Sequence, residues 1–153
     1  MSKVDLRLTV PTMVNLTHSQ EAALSTSENI LVEAGAGSGK TLVFVKRFLK
    51  LLAENPELEP RHILAITFTN LAAGELLDRI RTHLVDPQLN GAFSPDFIDR
   101  ILQSLALSKI TTIHGFCHFV IKQFPIESGV DPEFKVLEAD DMTLLIERSI
   151  TET

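Results

Sequence analysis

The stretch Ala34-Gly35-Ala36-Gly37-Ser38-Gly39-Lys40-Thr41 constrains the fold more than any other part of the chain. It follows the apolar run Asn29-Ile30-Leu31-Val32-Glu33 and precedes Val45, Phe48, Leu49 and Leu52, which recur at helical spacing. Strand, glycine-rich turn and helix in that order aim successive backbone N–H groups at one point. The positive end of the helix adds to the attraction, so the point suits a phosphate. The general pattern of such a loop is G-x-x-x-x-G-K-[ST]. Here Ala34 stands at the first glycine, and Gly39-Lys40-Thr41 is complete. In that pattern the Lys40 ammonium reaches the β- and γ-phosphates. The Thr41 hydroxyl holds Mg²⁺, an ion that keeps most of its waters and takes few protein ligands. Residues 34–41 are therefore the candidate nucleotide-binding residues, with Lys40 and Thr41 the candidate catalytic pair. A glycine-rich turn with an incidental lysine is the alternative, and the flanking strand and helix argue against it.

The 153 residues suffice for one domain with a real core, and 44% apolar with 22% charged residues is an ordinary globular mix. A net charge of −6 limits any nucleic-acid contact to a local basic patch. The chain has no Trp and no Tyr, so stacking on a base would fall to Phe or Arg. The single cysteine, Cys117, excludes an internal disulfide and a cysteine metal cluster. No window approaches the ~18 uninterrupted apolar residues of a membrane span. The opening Met1-Ser2-Lys3-Val4-Asp5-Leu6-Arg7 lacks the apolar core of a signal peptide. A cytoplasmic location is the expectation.

Residues 1–15 read as an irregular lead-in. Thr17-His18-Ser19-Gln20 opens a short helix to about Ser25, and strands are expected at 30–33, 63–68 and 109–113. The helix at 42–52 carries Lys46, Arg47 and Lys50 opposite its apolar stripe and ends at Asn55-Pro56. Asn70 is the expected N-cap of a helix with Ala73, Leu76, Leu77, Ile80 and Leu84 inward. Residues 86–91 read as a loop. Ser94-Pro95 starts a helix lined by Ile98, Ile101, Leu102 and Leu105. Residues 114–124 look helical up to Pro125, 134–137 look extended, and Asp140 or Asp141 begins a last helix with Met142, Leu145 and Ile146 inward. Strands alternating with helices give an α/β fold with a parallel sheet flanked by helices. Ligands in such sheets bind beyond the carboxyl ends of the strands. Residues 34–41, 67–70 and 112–117 all fall there.

Three further stretches point to a family. Leu16-Thr17-His18-Ser19-Gln20-Glu21-Ala22-Ala23 precedes the loop. Thr67-Phe68-Thr69-Asn70-Leu71-Ala72-Ala73-Gly74-Glu75-Leu76-Leu77-Asp78-Arg79-Ile80 follows the second strand, and Thr112-Ile113-His114-Gly115-Phe116-Cys117 follows the third. In that order they resemble the Q motif and motifs I, Ia and Ib of superfamily 1A DNA helicases, the UvrD/Rep group. Residues 124–137 narrow the resemblance to the N-terminal part of the AddA/RecB helicase–nuclease subunits. It covers about residues 16 to 147. The resemblance implies an incomplete RecA-like P-loop NTPase domain, 1A, over 16–124, and the start of a helical subdomain, 1B, over 125–153. It implies the N-terminal ATP-binding portion of an ATP-dependent DNA helicase acting in double-strand-break repair and recombination. ATP and Mg²⁺ would be its cofactors. Single-stranded DNA and an AddB-like nuclease subunit would be its partners.

Carried over residue by residue, the resemblance has Gln20 read the adenine edge, since a carboxamide pairs with N6 and N7. Thr17-x-x-Gln20 also fits a helix capping box, and both roles can hold. Phe68 would stack on a base of single-stranded DNA, or else be a buried strand-end residue. Thr67, Thr69 and Asn70 would bond the DNA backbone or fix the loop. Thr112 and His114 would contact the backbone nearby, unless His114 is structural. Gly115 stands where the family commonly has serine or another small residue, which removes a hydroxyl. Cys117 is expected in the core, and Arg79 and Arg81 on a solvated helix face.

Hydrolysis needs an acidic residue at a strand end for Mg²⁺, a group to orient the attacking water, and usually an arginine on the γ-phosphate. In the family the acidic pair follows a later strand. The nearest candidate here is Asp140-Asp141, after an extended stretch interrupted by Lys135 and Glu138. The family places that stretch in the inserted helical subdomain. The second RecA-like domain and any nuclease module are not among these residues. A catalytically inactive nucleotide-binding remnant or interaction module is therefore the competing reading. Another P-loop NTPase, such as a small kinase, would have no need of residues 67–80 and 112–117.

Overall fold

The computed structural model describes residues 16–87, 89, 93–137, 142 and 150. The lead-in at 1–15 and most of the expected last helix, including Asp140, Asp141, Leu145 and Ile146, lie outside the described residues. The elements are α1 (His18–Ala22), α2 (Lys40–Glu54), a 3-10 turn (Pro60–His62), β1 (Leu64–Thr67), α3 (Asn70–Val85), α4 (Pro95–Leu105), β2 (Lys109–Thr112), α5 (Ile113–Gln123) and α6 (Pro125–Ser128). The chain divides into two compact units, Met1–Phe116 and Cys117–Thr153.

In the first unit β1 and β2 pair in parallel, with Leu64 opposite Lys109 and Thr67 opposite Thr112. α3 and α4 form the crossover that a parallel pair requires. Strand side chains alternate between faces, so Ala65 and Ile110 turn into the core while Leu64 and Ile66 remain 41% and 48% exposed. The core joins Val45, Phe48, Leu49 and Leu52 of α2 to Ala73, Leu76, Ile80 and Leu84 of α3 and to Ile101 and Leu105 of α4. Leu77, Ile98 and Leu102 pack against it half-buried. The helical stripes in the sequence thus mark the faces that meet.

Several local expectations change. The expected first strand is absent: residues 29–35 form no ladder with any described residue, and Leu31 is 97% exposed. An apolar run states a preference for burial, but a strand exists only through a neighbour that takes its N–H and C=O groups. The α/β parallel class therefore rests on two strands. α3 is capped by Thr69, not Asn70. Thr69 is extended (φ −130°, ψ 152°), and its Oγ1 accepts the Ala72 N–H at 3.0 Å. α4 starts as expected, with Ser94 Oγ accepting the Phe97 N–H at 3.2 Å and Pro95 at the first position. Arg100 on α4 donates to the Pro56 carbonyl at 2.6 Å, tying α4 to the turn after α2.

In the second unit α6 ends at Gly129, whose φ of +64° suits glycine. Residues 134–137 form no strand, and the Phe134 ring meets His118 edge-on at 5.4 Å. Cys117 is exposed, not buried, because no residue of α5 has a fully buried position. Among the described residues no helix is long and apolar enough to cross a membrane.

Candidate nucleotide-binding loop and nucleic-acid edge

Residues 34–39 form an exposed turn that ends at the N-terminus of α2. Gly37 (φ +75°) and Gly39 (φ +82°) take left-handed conformations that side-chain-bearing residues avoid, and these curl the loop tightly. The first α-helical bond of α2 runs from the Val43 N–H to the Gly39 carbonyl at 3.0 Å. Gly39 offers no side-chain cap. The N–H groups of Gly37, Gly39, Lys40, Thr41 and Leu42 consequently meet no protein acceptor among the described residues. Open donors at the positive end of a 15-residue helix form an anion cradle. The donor set fits a phosphate: main-chain N–H groups, one ammonium and one hydroxyl, with no carboxylate in the turn.

Lys40 lies over its own loop, its Nζ donating to the carbonyls of Ala34 at 2.5 Å and Gly35 at 2.6 Å. Ser38 Oγ donates to the Gly35 carbonyl at 2.7 Å, and Thr41 is exposed. Gln20 reaches across from α1. Its Oε1 accepts the Thr17 N–H at 2.9 Å, and its Nε2 donates to the Ser38 carbonyl at 2.9 Å. The capping box expected from Thr17-x-x-Gln20 is formed. Beside the loop lies an open cavity of about 650 Å³ whose lining includes Gln20, Val32, Ala34, Lys40, Phe44 and Arg47, within the size range of small-molecule sites.

The basic residues of α2 do not form one free face. Arg47 donates to the carbonyls of Ala23 and Glu28, each at 3.2 Å, and Lys50 to that of Leu24 at 3.2 Å. They tie the segment between α1 and the loop to α2. Lys46 is only 9% exposed, and burial lowers its pKa. Nothing in the local sequence announces these roles, because each acceptor is a backbone carbonyl far along the chain.

At the carboxyl ends of the sheet, the pairing of Thr67 with Thr112 brings residues 67–70 and 112–114 together. Among the described residues no hydrogen bond ties the loop at 34–41 to either stretch. Phe68 is 103% exposed, so its ring stands clear of the core. Thr67 Oγ1 donates to the Thr69 carbonyl at 2.9 Å, which braces this turn. Asn70 and His114 are exposed. Thr112 is 8% exposed, and its Oγ1 accepts the Gly115 N–H at 3.1 Å. A Cβ on Gly115 would lie 2.3 Å from Thr111 Oγ1. That contact leaves little room for a side chain at this position. Arg79 and Arg81 are exposed, and Arg81 pairs with Asp78 at 3.3 Å.

A family described as UvrD/REP helicase N-terminal domain matches residues 16–153. An ATP-dependent helicase/nuclease subunit from Desulfitobacterium hafniense (strain DSM 10664 / DCB-2) is 38% identical over 133 residues, 84% of this chain and 10% of that protein. The protein of the same name from Clostridium acetobutylicum is 39% identical over 141 residues, 90% of this chain and 11% of its own length. The one from Oceanobacillus iheyensis is 39% identical over 135 residues, 87% of this chain and 11% of its own length. The chain thus spans about a tenth of the length of the curated relatives it matches.

Proposed function

Because the chain belongs to the UvrD/REP helicase N-terminal domain family, we propose that it is the N-terminal ATP-binding portion of an ATP-dependent DNA helicase of the AddA type. That helicase acts in the cytoplasm, in double-strand-break repair and recombination. The observation that carries this reading is the cradle of open N–H groups of Gly37, Gly39, Lys40, Thr41 and Leu42 at the start of α2. Residues 34–41 hold the triphosphate, Lys40 meets its β- and γ-phosphates, and the Thr41 hydroxyl is the protein ligand to Mg²⁺. The bound ion neutralises charge on the transferring phosphoryl group. Gln20 has one N–H and one lone pair left after its two hydrogen bonds, the pair that an adenine edge requires.

Phe68 is the stacking residue for single-stranded DNA, with Thr67, Thr69, Asn70, Thr112 and His114 around it. The complete exposure of the Phe68 ring supports that role. Residues 16–124 belong to the RecA-like 1A domain, and 125–153 begin the 1B subdomain. The relatives carry the name of one subunit in a helicase/nuclease, which supports an AddB-like nuclease partner. The residues that complete hydrolysis, an acidic pair and an arginine finger, come from the remainder of such a helicase.

Binding of a fluorescent ATP analogue in Mg²⁺ buffer tests the reading. Lys40→Ala removes a charge-assisted contact of ~1.5–3 kcal/mol, so affinity is expected to fall about tenfold to a hundredfold. Equal binding by wild type and Lys40→Ala overturns the assignment.

A further inference from the structure

The carboxamide of Gln20 joins two parts of the chain that are 18 residues apart. Its Nε2 holds the Ser38 carbonyl, the acceptor that the Leu42 N–H would take if α2 were wound one residue further back. With that carbonyl turned toward Gln20, the helix ladder starts only at Val43, and the N–H groups before it stay open. A second observation concerns Gly39. A Cβ built there would stand 3.0 Å from Gln20 Nε2, so the carboxamide rests directly against the left-handed turn of the loop. Gln20 also lines the cavity beside the loop. One side chain thus touches the curl of the loop and the space where a base would sit.

We propose that Gln20 is a positioning residue of the phosphate loop: through the Ser38 carbonyl it keeps residues 35–41 in their phosphate-receptive curl, independently of any contact with a base. This rests on the nucleotide reading above and adds to it a link between base and phosphate recognition. A base that engages the remaining N–H and lone pair of Gln20 fixes the side chain, and the fixed side chain holds the loop.

Calorimetric titration of the whole chain with Mg²⁺-tripolyphosphate, which has no base, and with Mg²⁺-ATP tests this. The variants are Gln20→Met, near in shape but without donor or acceptor, and Thr17→Val, which loses the hydroxyl that accepts the Gln20 backbone N–H but keeps both hydrogen bonds of the Gln20 carboxamide. Gln20→Met is expected to weaken tripolyphosphate about fivefold, equivalent to one hydrogen bond of ~1 kcal/mol, and ATP by more. Thr17→Val is expected to stay within about twofold of wild type for tripolyphosphate. Unchanged tripolyphosphate affinity in Gln20→Met overturns the proposal and leaves Gln20 as a base contact alone. Equal weakening in both variants overturns it in favour of helix capping alone. A wild type that binds ATP but no tripolyphosphate also overturns it, since the loop would then take shape only with the base. A wild type that binds neither overturns the nucleotide reading itself, and this proposal falls with it.

Discussion

Lys46 and His83 show how one buried charge changes its surroundings. The apolar spacing of Val45, Phe48, Leu49 and Leu52 puts Lys46 outside the stripe, yet Val43 is also buried, and Lys46 lies three residues from both Val43 and Leu49. The buried arc is wider than the spacing counts, and a lysine can lay its methylene stem along it. His83 on α3 has a buried Nε2 with no hydrogen-bond partner among the described residues. Burial pushes its pKa below the usual 6.5, a backbone hydrogen bond with Arg79 opposes this, the Lys46 ammonium lowers it further, and Asp86 raises it. With the folded value below the unfolded one, the unfolded chain binds more protons across that window. Stability from this group is therefore full above about 6.5 and is lost as pH falls from there through the lower folded value. The melting temperature is expected to drop as pH falls below about 6.5, and His83→Gln is expected to flatten that slope. A wild-type melting temperature constant across the range, or an identical slope in His83→Gln, contradicts this account.

At the scale of elements, legibility follows the range of the interaction. The starts of α1 and α4 were readable, because Thr17 to Gln20 and Ser94 to Phe97 are contacts three residues apart. The cap of α3 slipped by one residue because Thr69 and Asn70 are both able caps, and the extended backbone that a cap needs falls to the β-branched one. The run at 30–33 carried the composition of a strand but no information about its neighbours. The β1–α3 turn makes a direct prediction. Its apex residue Phe68 contributes nothing to the core, so Phe68→Ala is expected to leave the melting temperature unchanged. The same change is expected to reduce single-stranded DNA affinity by roughly tenfold, the worth of one stacked base. Fluorescence anisotropy with a labelled oligonucleotide checks this, and an unchanged affinity removes Phe68 from the interface.

Across the whole molecule, a parallel sheet normally carries helices on both faces. The apolar run at 63–68 reads that way, yet Leu64 and Ile66 are open among the described residues while Ala65 is packed. Exposed apolar area of this kind binds hydrophobic dyes and favours self-association. Ile66→Thr keeps the β-branch and is expected to lower the fluorescence of a bound apolar dye without loss of helical circular dichroism. Undiminished dye fluorescence would locate the sticky surface elsewhere. The turn at 34–41 was legible as a candidate site for the opposite reason: its chemistry is contiguous, with glycines, lysine and threonine side by side. The bond from Gln20 to the Ser38 carbonyl, and those of Arg47 and Lys50 to the segment before the loop, act on distant carbonyls and leave no local signature.

The posture of Lys40 has a consequence for ligand choice. Its ammonium leans on two neutral carbonyls, those of Ala34 and Gly35, and will leave them only for an acceptor of greater negative charge. On the nucleotide reading proposed above, a phosphate oxygen within reach would be such an acceptor. Loading the loop would then cost Lys40 two short contacts and return both carbonyls to water, so any anion received there must outweigh that exchange.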